Sequence, residues 1–514
     1  MRLKRSFFAF LLVALAVVQA SAARIFVNCP EGVSNITVIN AVSGDDIVIN
    51  GVTWHVFSTS SSTQLSITVN GIQDGGNYTT GTLNNDHTDC ANYFVRITGI
   101  QTAHSKKAAG TWSVERGVPL TETYFPDANL RAAIAVKTGV SEGSVLTDYV
   151  LHTNDKWITG SFNGVPMNDL SEKNISSLTG MEYFNVTMLY ANNNNISSFK
   201  PASFPNLTTL TMRENSLTEL DITQCPKISS LDVADNLLTE LDVTNLTNLS
   251  YLTCSNNQLT ELDLTNNTRL SSLTCSNNQL TELDLTNNTR LSSLSCSNNK
   301  MSELDLSHNP NLSTLYVEGN QFTNLDFLNG LNNLQMLSVG SNPISGTLDL
   351  SNRQMLMYFM CDSTQISALD LSNCTMLMYA SCNANQLTSV NLKGCSFTSV
   401  LQLAANKLES IDVSYLTNLT ELRVDMNNLT SIDLTNNTQL KTLSVNHNNL
   451  TSLDVSHLTN LETLTGGHNQ LTYLNVTGLS KLNHLCIGFN KLKEVTGLAS
   501  CVGLRQLYVN DNDL

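Results

Sequence analysis

Leu249-Ser-Tyr-Leu252-Thr-Cys254-Ser-Asn-Asn257-Gln-Leu259-Thr-Glu-Leu262-Asp-Leu264 returns almost unchanged 21 residues later, from Leu270 to Leu285, and again from Leu291 to Leu306. The same frame runs outward from there. Units start at Val186, Leu207, Ile228, Leu249, Leu270, Leu291, Leu312, Leu334, Leu356, Leu377, Thr398, Leu419, Leu440, Leu461, Leu482 and Leu504, sixteen in all. Three steps, those beginning at Leu312, Leu334 and Leu482, are 22 residues long. Within each unit the first stretch alternates apolar and polar residues, which is the pattern of a short strand with one buried face. One unit cannot bury that face alone, so only stacked copies make a core. At about 4.8 Å between neighbouring strands, such a stack is roughly 75 Å long.

The pattern L-x-x-L-x-[LVC]-x-x-N-x-L is the leucine-rich-repeat signature. It predicts a leucine-rich-repeat solenoid of the α/β horseshoe class, mostly β or extended, with a parallel sheet on its concave face. The ninth position is Asn at 194, 215, 236, 257, 278, 299, 320, 342, 385, 406, 427, 448, 469, 490 and 512, that is Asn194, Asn215, Asn236, Asn257, Asn278, Asn299, Asn320, Asn342, Asn385, Asn406, Asn427, Asn448, Asn469, Asn490 and Asn512. Stacked amides at an inward turn can bond loop N–H and C=O groups that would otherwise be unpaired. Ser/Thr/Asn-rich joints such as Thr265-Asn-Asn-Thr268 are turn chemistry. A second apolar pair, as in Leu262-Asp263-Leu264, is expected to line the opposite wall as short β or extended structure, since no stretch has the length or period of a helix.

Other columns repeat too. Cys254, Cys275 and Cys296, and later Cys361 and Cys382, hold position six, while Cys225, Cys374 and Cys395 share another register. They read as small apolar slot-fillers rather than a disulfide or metal ladder, because in-register side chains point the same way. Asp221, Asp242, Asp263, Asp284, Asp305, Asp326, Asp370, Asp412, Asp433 and Asp454 read as solvated turn acceptors, since the spacings of calcium loops are absent. Gly466 leaves position six of its unit empty, which predicts a weak point in the core.

Outside the repeats, Arg2, Lys4 and Arg5, the apolar run Phe7 to Val18 and Ala20-Ser-Ala22 make residues 1–22 a secretory signal peptide. That run is too short to span a bilayer comfortably, and no later segment is apolar enough to be transmembrane. Residues 24–118 lack the 21-residue period. Alternating β-branched runs, among them Asn35–Ile39, Val52–Val56 and Gln64–Val69, predict a small all-β, sandwich-like domain with Trp54 and Trp112 in its core. Cys29 and Cys90 are expected to pair there in an oxidising compartment. Residues 119–185 read as the N-terminal cap that a solenoid needs to cover its open core edge. Pro126-Asp-Ala-Asn-Leu-Arg-Ala-Ala-Ile-Ala135 is a short helix with Pro near its start. Residues 186–514 are the repeats.

Phe125-Pro126-Asp127-Ala128-Asn129-Leu130-Arg131 and Ile175-Ser-Ser-Leu-Thr-Gly-Met-Glu-Tyr-Phe184 resemble the N-terminal cap of secreted bacterial leucine-rich-repeat proteins. The cysteine-bearing units resemble internalin-J-type repeats. The resemblance covers roughly residues 120–514. It implies extracellular protein binding or adhesion. The acidic, EF-hand-like segment of related caps is not carried over, because Thr138 to Leu170 lacks a D-x-D-x-D-G order.

The chain has 514 residues and a net charge of −16, which excludes a nucleic-acid partner. Much of that charge is the repeated Asp, so it says little else about partners. No HExxH, G-x-S-x-G or phosphate loop is present, and His55, Asp86, His87 and Asp89 form no recognisable constellation, so no enzyme and no cofactor is expected. The expected function is extracellular recognition of a protein or glycan on the strand side. The alternative is a spacer that presents residues 24–118 as the binding head. Most outward strand positions are Ser, Thr or Asn. Tyr316, Met336, Met357, Tyr358, Met360, Met378 and Tyr379 are exceptions clustered in neighbouring units, of residue types enriched in interfaces. Thr364 also breaks the Asn column there, and Ala380 shrinks a core slot. Rule-breaking of this kind marks candidate function. His447, His468, His484 and Phe489, with Asp425 by register, form a second cluster, read as an exposed polar column to which no metal is assigned. Asn-x-Ser/Thr triplets such as Asn245-Leu-Thr and Asn418-Leu-Thr follow from the turn consensus and do not decide the host. The chain stops at Leu514, position eleven of its unit, with no closing cap or sorting signal expected within it.

Overall fold

The computed structural model describes residues 120–144, 146, 168–184, 186–201 and 204–514, together with the backbone of the strands between Ala23 and Pro166. The chain divides into two compact units, Met1–Leu217 and Thr218–Leu514. The stretch 1–22 expected to be a signal peptide and the expected Cys29–Cys90 pairing lie outside the described residues, as do the side chains of Trp54 and Trp112.

In the first unit, Gln64–Thr68, Asn35–Ile39, Thr111–Pro119, Ala91–Thr98, Ala23–Val27, Asp46–Ile49, Val52–Val56 and Leu83–Asn84 hydrogen-bond in that order as one mixed sheet. Val145–Thr147 adds to Thr111–Pro119 antiparallel, which carries this sheet past residue 118 into the stretch expected to be cap. The cap helix is Ala128–Thr138. Asp127 caps it, accepting from Leu130 N at 2.8 Å, so Pro126 stands outside the helix instead of at its first turn. Gly139 ends it in the left-handed conformation at φ 73°. The other Asp127 oxygen accepts from Ser176 N at 2.7 Å and Ser176 Oγ at 2.5 Å, tying the helix to the strand-like turn that leads into the repeats. Phe125 packs against Tyr183 and Phe184 with ring centroids 6.0 and 6.2 Å apart. The two stretches that carry the cap resemblance therefore pack on one another. Gly180 (φ 104°) lies so close under Phe125 that any Cβ would clash with the ring. Stacking begins before Val186: Leu170 N donates to Tyr190 O, and Ile175 N to Asn194 Oδ1.

In the second unit, three-residue strands from Ser230–Asp232 to Gln506–Tyr508 pair in parallel, each with the next in sequence, at an unbroken register. Buried leucines such as Leu252, Leu273 and Leu294 line the core side. The Asn column is the turn ladder that the repeat predicts. Asn278 Nδ2 donates to Cys254 O (3.0 Å), Cys275 O (3.1 Å) and Ser276 O (3.3 Å), while its Oδ1 accepts from Leu259 N (3.0 Å). The residue before it is left-handed in unit after unit, at φ 56° for Asn256 and Asn277 and 54° for Asn298.

The three 22-residue steps place their extra residue on the second wall, away from the sheet. The first becomes the 3-10 turn Asp326–Leu328, the second a bulge between Gly346 and Thr347, and the third the 3-10 turn Leu498–Ser500. Asp326 accordingly leaves the Asp column, and Asn324 Oδ1 accepts from its N–H at 3.0 Å. Elsewhere the column works as turn acceptors: Asp263, Asp284 and Asp305 each accept from the N–H two residues on, at 2.9 Å. Those bonds hold the carboxyls below the usual range. The second wall is extended rather than strand in most units. The exception is a three-stranded patch in which Gln365–Asp370, just after Thr364, pairs with Ser345–Asp349 and Ser389–Asn391.

A further buried column escaped the sequence reading. Asn267, Asn288, Asn309 and Asn437 are fully buried at the joint, in the register of Cys374 and Cys395. Asn288 Nδ2 donates to Leu264 O and Asn267 O, Cys374 Sγ to Leu350 O (3.3 Å) and Cys395 Sγ to Leu371 O (3.0 Å). Arg353 reaches the same kind of carbonyl in the widened unit, from Nη1 to Leu331 O (2.9 Å) and from Nη2 to Leu328 O (3.2 Å). Three side chains thus answer one need, the unpaired joint carbonyls.

Gly466 is less empty than its sequence suggests. A Cβ there would stand 3.4 Å from Val445 Cγ2 and 3.9 Å from Ile487 Cγ2, so the neighbours have closed the slot to methyl size. Gly466→Ala is expected to raise stability by about 1 kcal/mol, through the buried methyl and the stiffer unfolded chain, read as a higher urea midpoint. Gly466→Leu should lower it by overpacking.

Candidate functional site

The strand face carries the Tyr/Met cluster in register. Met336 pairs with Tyr358, Tyr358 with Tyr379, and Tyr379 with Val400, so one outward column is apolar over four adjacent strands. The sequence reading omitted Val400. Met360 lies one pleat along beside Ser338 and Ser381, and Tyr316 beside Ser338. Tyr316 Oη and Met336 Sδ are 3.6 Å apart. Tyr316, Met336, Met357, Tyr358, Met360 and Tyr379 are each half-buried, and Met378 is exposed. Beneath them Phe359 is fully buried and faces Ala380, so the small slot is the complement of the large ring. Beside them Asp362 accepts from Ser381 Oγ (2.8 Å) and Asn383 N (2.6 Å).

The His cluster is a stack. His447 lies on His468 with centroids 4.1 Å apart and planes 10° apart, and His468 on Phe489 at 4.2 Å and 8°. A metal bound by imidazole lies in the ring plane. Two nearly parallel planes about 4 Å apart share no such point, so the geometry opposes a bridging metal. Among the described residues no group of three His, Cys, Asp or Glu is placed to hold one. His484 stands apart on the strand face, tilted against Tyr508 at 6.0 Å. Asp425 Oδ1 accepts from Ser444 Oγ (2.5 Å), Asn446 N (3.0 Å) and Asn446 Nδ2 (2.8 Å).

Cys254, Cys275, Cys296, Cys361 and Cys382 are buried and unpaired. Burial pushes the Cys275 thiol up to about 12, and does the same for Cys374. Thiols held neutral in this way are poor nucleophiles. Cys486 is the exception in placement. It sits on the strand face at the edge of a cleft.

The functional domain of InlJ from Listeria monocytogenes, which includes a cysteine ladder, is similar to this chain at 30% identity and a TM-score of 0.65, over 72% of this chain and 81% of that one. YopM, a leucine-rich effector protein from Yersinia pestis, is similar at 26% identity and a TM-score of 0.54, over 63% and 88%. A leucine-rich-repeat protein of Leptospira interrogans shares the fold at 23% identity and a TM-score of 0.52, over 62% and 84%. No protein-family model and no curated protein matches the sequence.

Proposed function

This chain belongs to the internalin-type leucine-rich-repeat proteins, and from that we propose that it is an extracellular, non-enzymatic recognition protein whose repeat face binds a protein partner. The observation that carries the reading is the apolar column Met336–Tyr358–Tyr379–Val400 on an otherwise Ser/Thr-rich sheet. Tyrosine and methionine supply large contact area at an interface centre. Parallel strands hold them in a fixed array, so little ordering entropy remains to be lost on binding. The signal-peptide pattern of residues 1–22 supports secretion. Among the described residues no helix is long and apolar enough to cross a membrane.

Replacing Tyr358 and Tyr379 together by Ser is expected to weaken partner binding by at least about 2 kcal/mol, roughly thirtyfold in Kd, with the unfolding midpoint little changed. Titration against a partner captured by the mature protein measures it. An unchanged Kd would remove this face from the interface.

A further inference from the structure

The apolar column has a charged rim. In the five units that begin at Leu312, Leu334, Leu356, Leu377 and Thr398, positions two, three, five, seven and eight carry two carboxylates, Glu318 and Asp362, and no Lys, Arg or His. Both carboxylates are half-buried, and among the described residues neither has a cationic partner. They leave the seventh position and turn back over the sheet. Ser338 Oγ donates to Glu318. Ser381 Oγ donates to Asp362 at 2.8 and 2.9 Å, and Asn383 N adds a bond to it at 2.6 Å.

Those two serines are the strand neighbours of Met360, one on each side. The carboxylates therefore flank the Met360 side chain, each about one strand spacing of 4.8 Å away. Ser338 and Ser381 stand two residues along their strands from Met336 and Tyr379, so the pair lies about 7 Å from the apolar column. A carboxylate has roughly four acceptor sites, so each keeps some open. Partial burial weakens screening by water, and a cation brought to this rim is attracted more strongly than at an open surface.

Resting on the reading of this face as a protein-binding surface, we propose that the partner seats an apolar or aromatic side chain on the Met336–Tyr358–Tyr379–Val400 column and lays a Lys or Arg over Met360, its charged head between Glu318 and Asp362. Such a side chain has an apolar stem and a charged head, which matches a thioether with a carboxylate on either side. The two anchors are about 7 Å apart, the separation of residues i and i+2 on an extended segment. An acidic segment is repelled by the same rim.

The test uses the full chain labelled with 13C-methyl methionine, the Met360 signal being the one absent from the Met360→Leu variant. The probes are two blocked tripeptides, acetyl-Trp-Ala-Arg amide and the same peptide with citrulline, the neutral isostere of arginine, in place of Arg. The arginine peptide is expected to shift the Met360 signal saturably and to bind about fivefold more tightly than the citrulline peptide at low salt, a gap that narrows as salt is raised. In the double variant Glu318→Gln, Asp362→Asn the gap is expected to vanish. Asn suits this position, since Asn383 in the next unit accepts from Ala404 N (2.7 Å) as Asp362 does from Asn383 N. Equal affinities for the two peptides, a gap that persists in the double variant, or no saturable shift would overturn the proposal. Equal affinities that are both lost in Tyr358→Ser, Tyr379→Ser remove only the charged rim, whereas an arginine peptide that binds this variant as it binds the native chain removes the face as well. The comparison of the two peptides stands on the native protein even if a variant does not fold.

Discussion

Asn278→Asp, isosteric with the native residue, is expected to destabilise the repeats around it by about 3–5 kcal/mol. Asn278 is buried and places its amide nitrogen on three carbonyls, of Cys254, Cys275 and Ser276. A carboxylate in its place sets oxygen against oxygen at each of them and keeps only the bond from Leu259 N. Asn278→Leu loses all four bonds but adds no charge, so its cost should be smaller, about 2–3 kcal/mol. The order Asp worse than Leu worse than Asn is the signature of a donor ladder, because a purely steric slot would rank Asp beside Asn. Each repeat contacts only its neighbours, so the damage should stay local. Cys254, Cys275 and Cys296 report it directly. Their buried thiols should become accessible to a thiol reagent in the variant at denaturant concentrations where the native protein still protects them. Equal protection in all three proteins would refute the ladder as a source of stability.

The second large effect belongs to Asp127. Replacing it by Ala removes the helix cap on Leu130 N and strands Ser176 N–H and Oγ, which together should cost the first unit about 3 kcal/mol. Burial would raise this carboxyl, but the bonds from Ser176 and Leu130 outweigh burial and hold it below the ordinary value. A depressed carboxyl stabilises the fold above its unfolded pKa of about 4 and loses that contribution as pH falls through its lower folded value. The gap between native protein and Asp127→Asn is therefore expected to be constant near neutrality and to close at pH values below about 4. Denaturant midpoints of the cap, followed by the fluorescence of Tyr124 and Tyr183 (ring centroids 6.3 Å apart), measure it. A gap independent of pH would mean that the charged form plays no part.

The repeat itself was legible because it is a local code. Leu252, Leu273 and Leu294 face inward by alternation alone, and Asn257, Asn278 and Asn299 recur where an inward turn needs a donor and an acceptor together. The Tyr/Met column was legible for the same reason, as departures from a known register. What stayed hidden depends on which atoms meet after stacking. Asn267 and Asn288 looked like ordinary joint residues, yet they are fully buried, and Arg353 performs their task only because an added residue widened its unit.

Sequence by itself determined that this chain is a stack of parallel strands with an amide ladder and an uneven outer face, since a 21-residue period can bury its apolar side in no other way. Only the tertiary structure decided that the extra residues go to the second wall, and that His447, His468 and Phe489 close into a stack unsuited to a metal. Those outcomes turn on distances between units, which the strand spacing imposes and no single unit encodes.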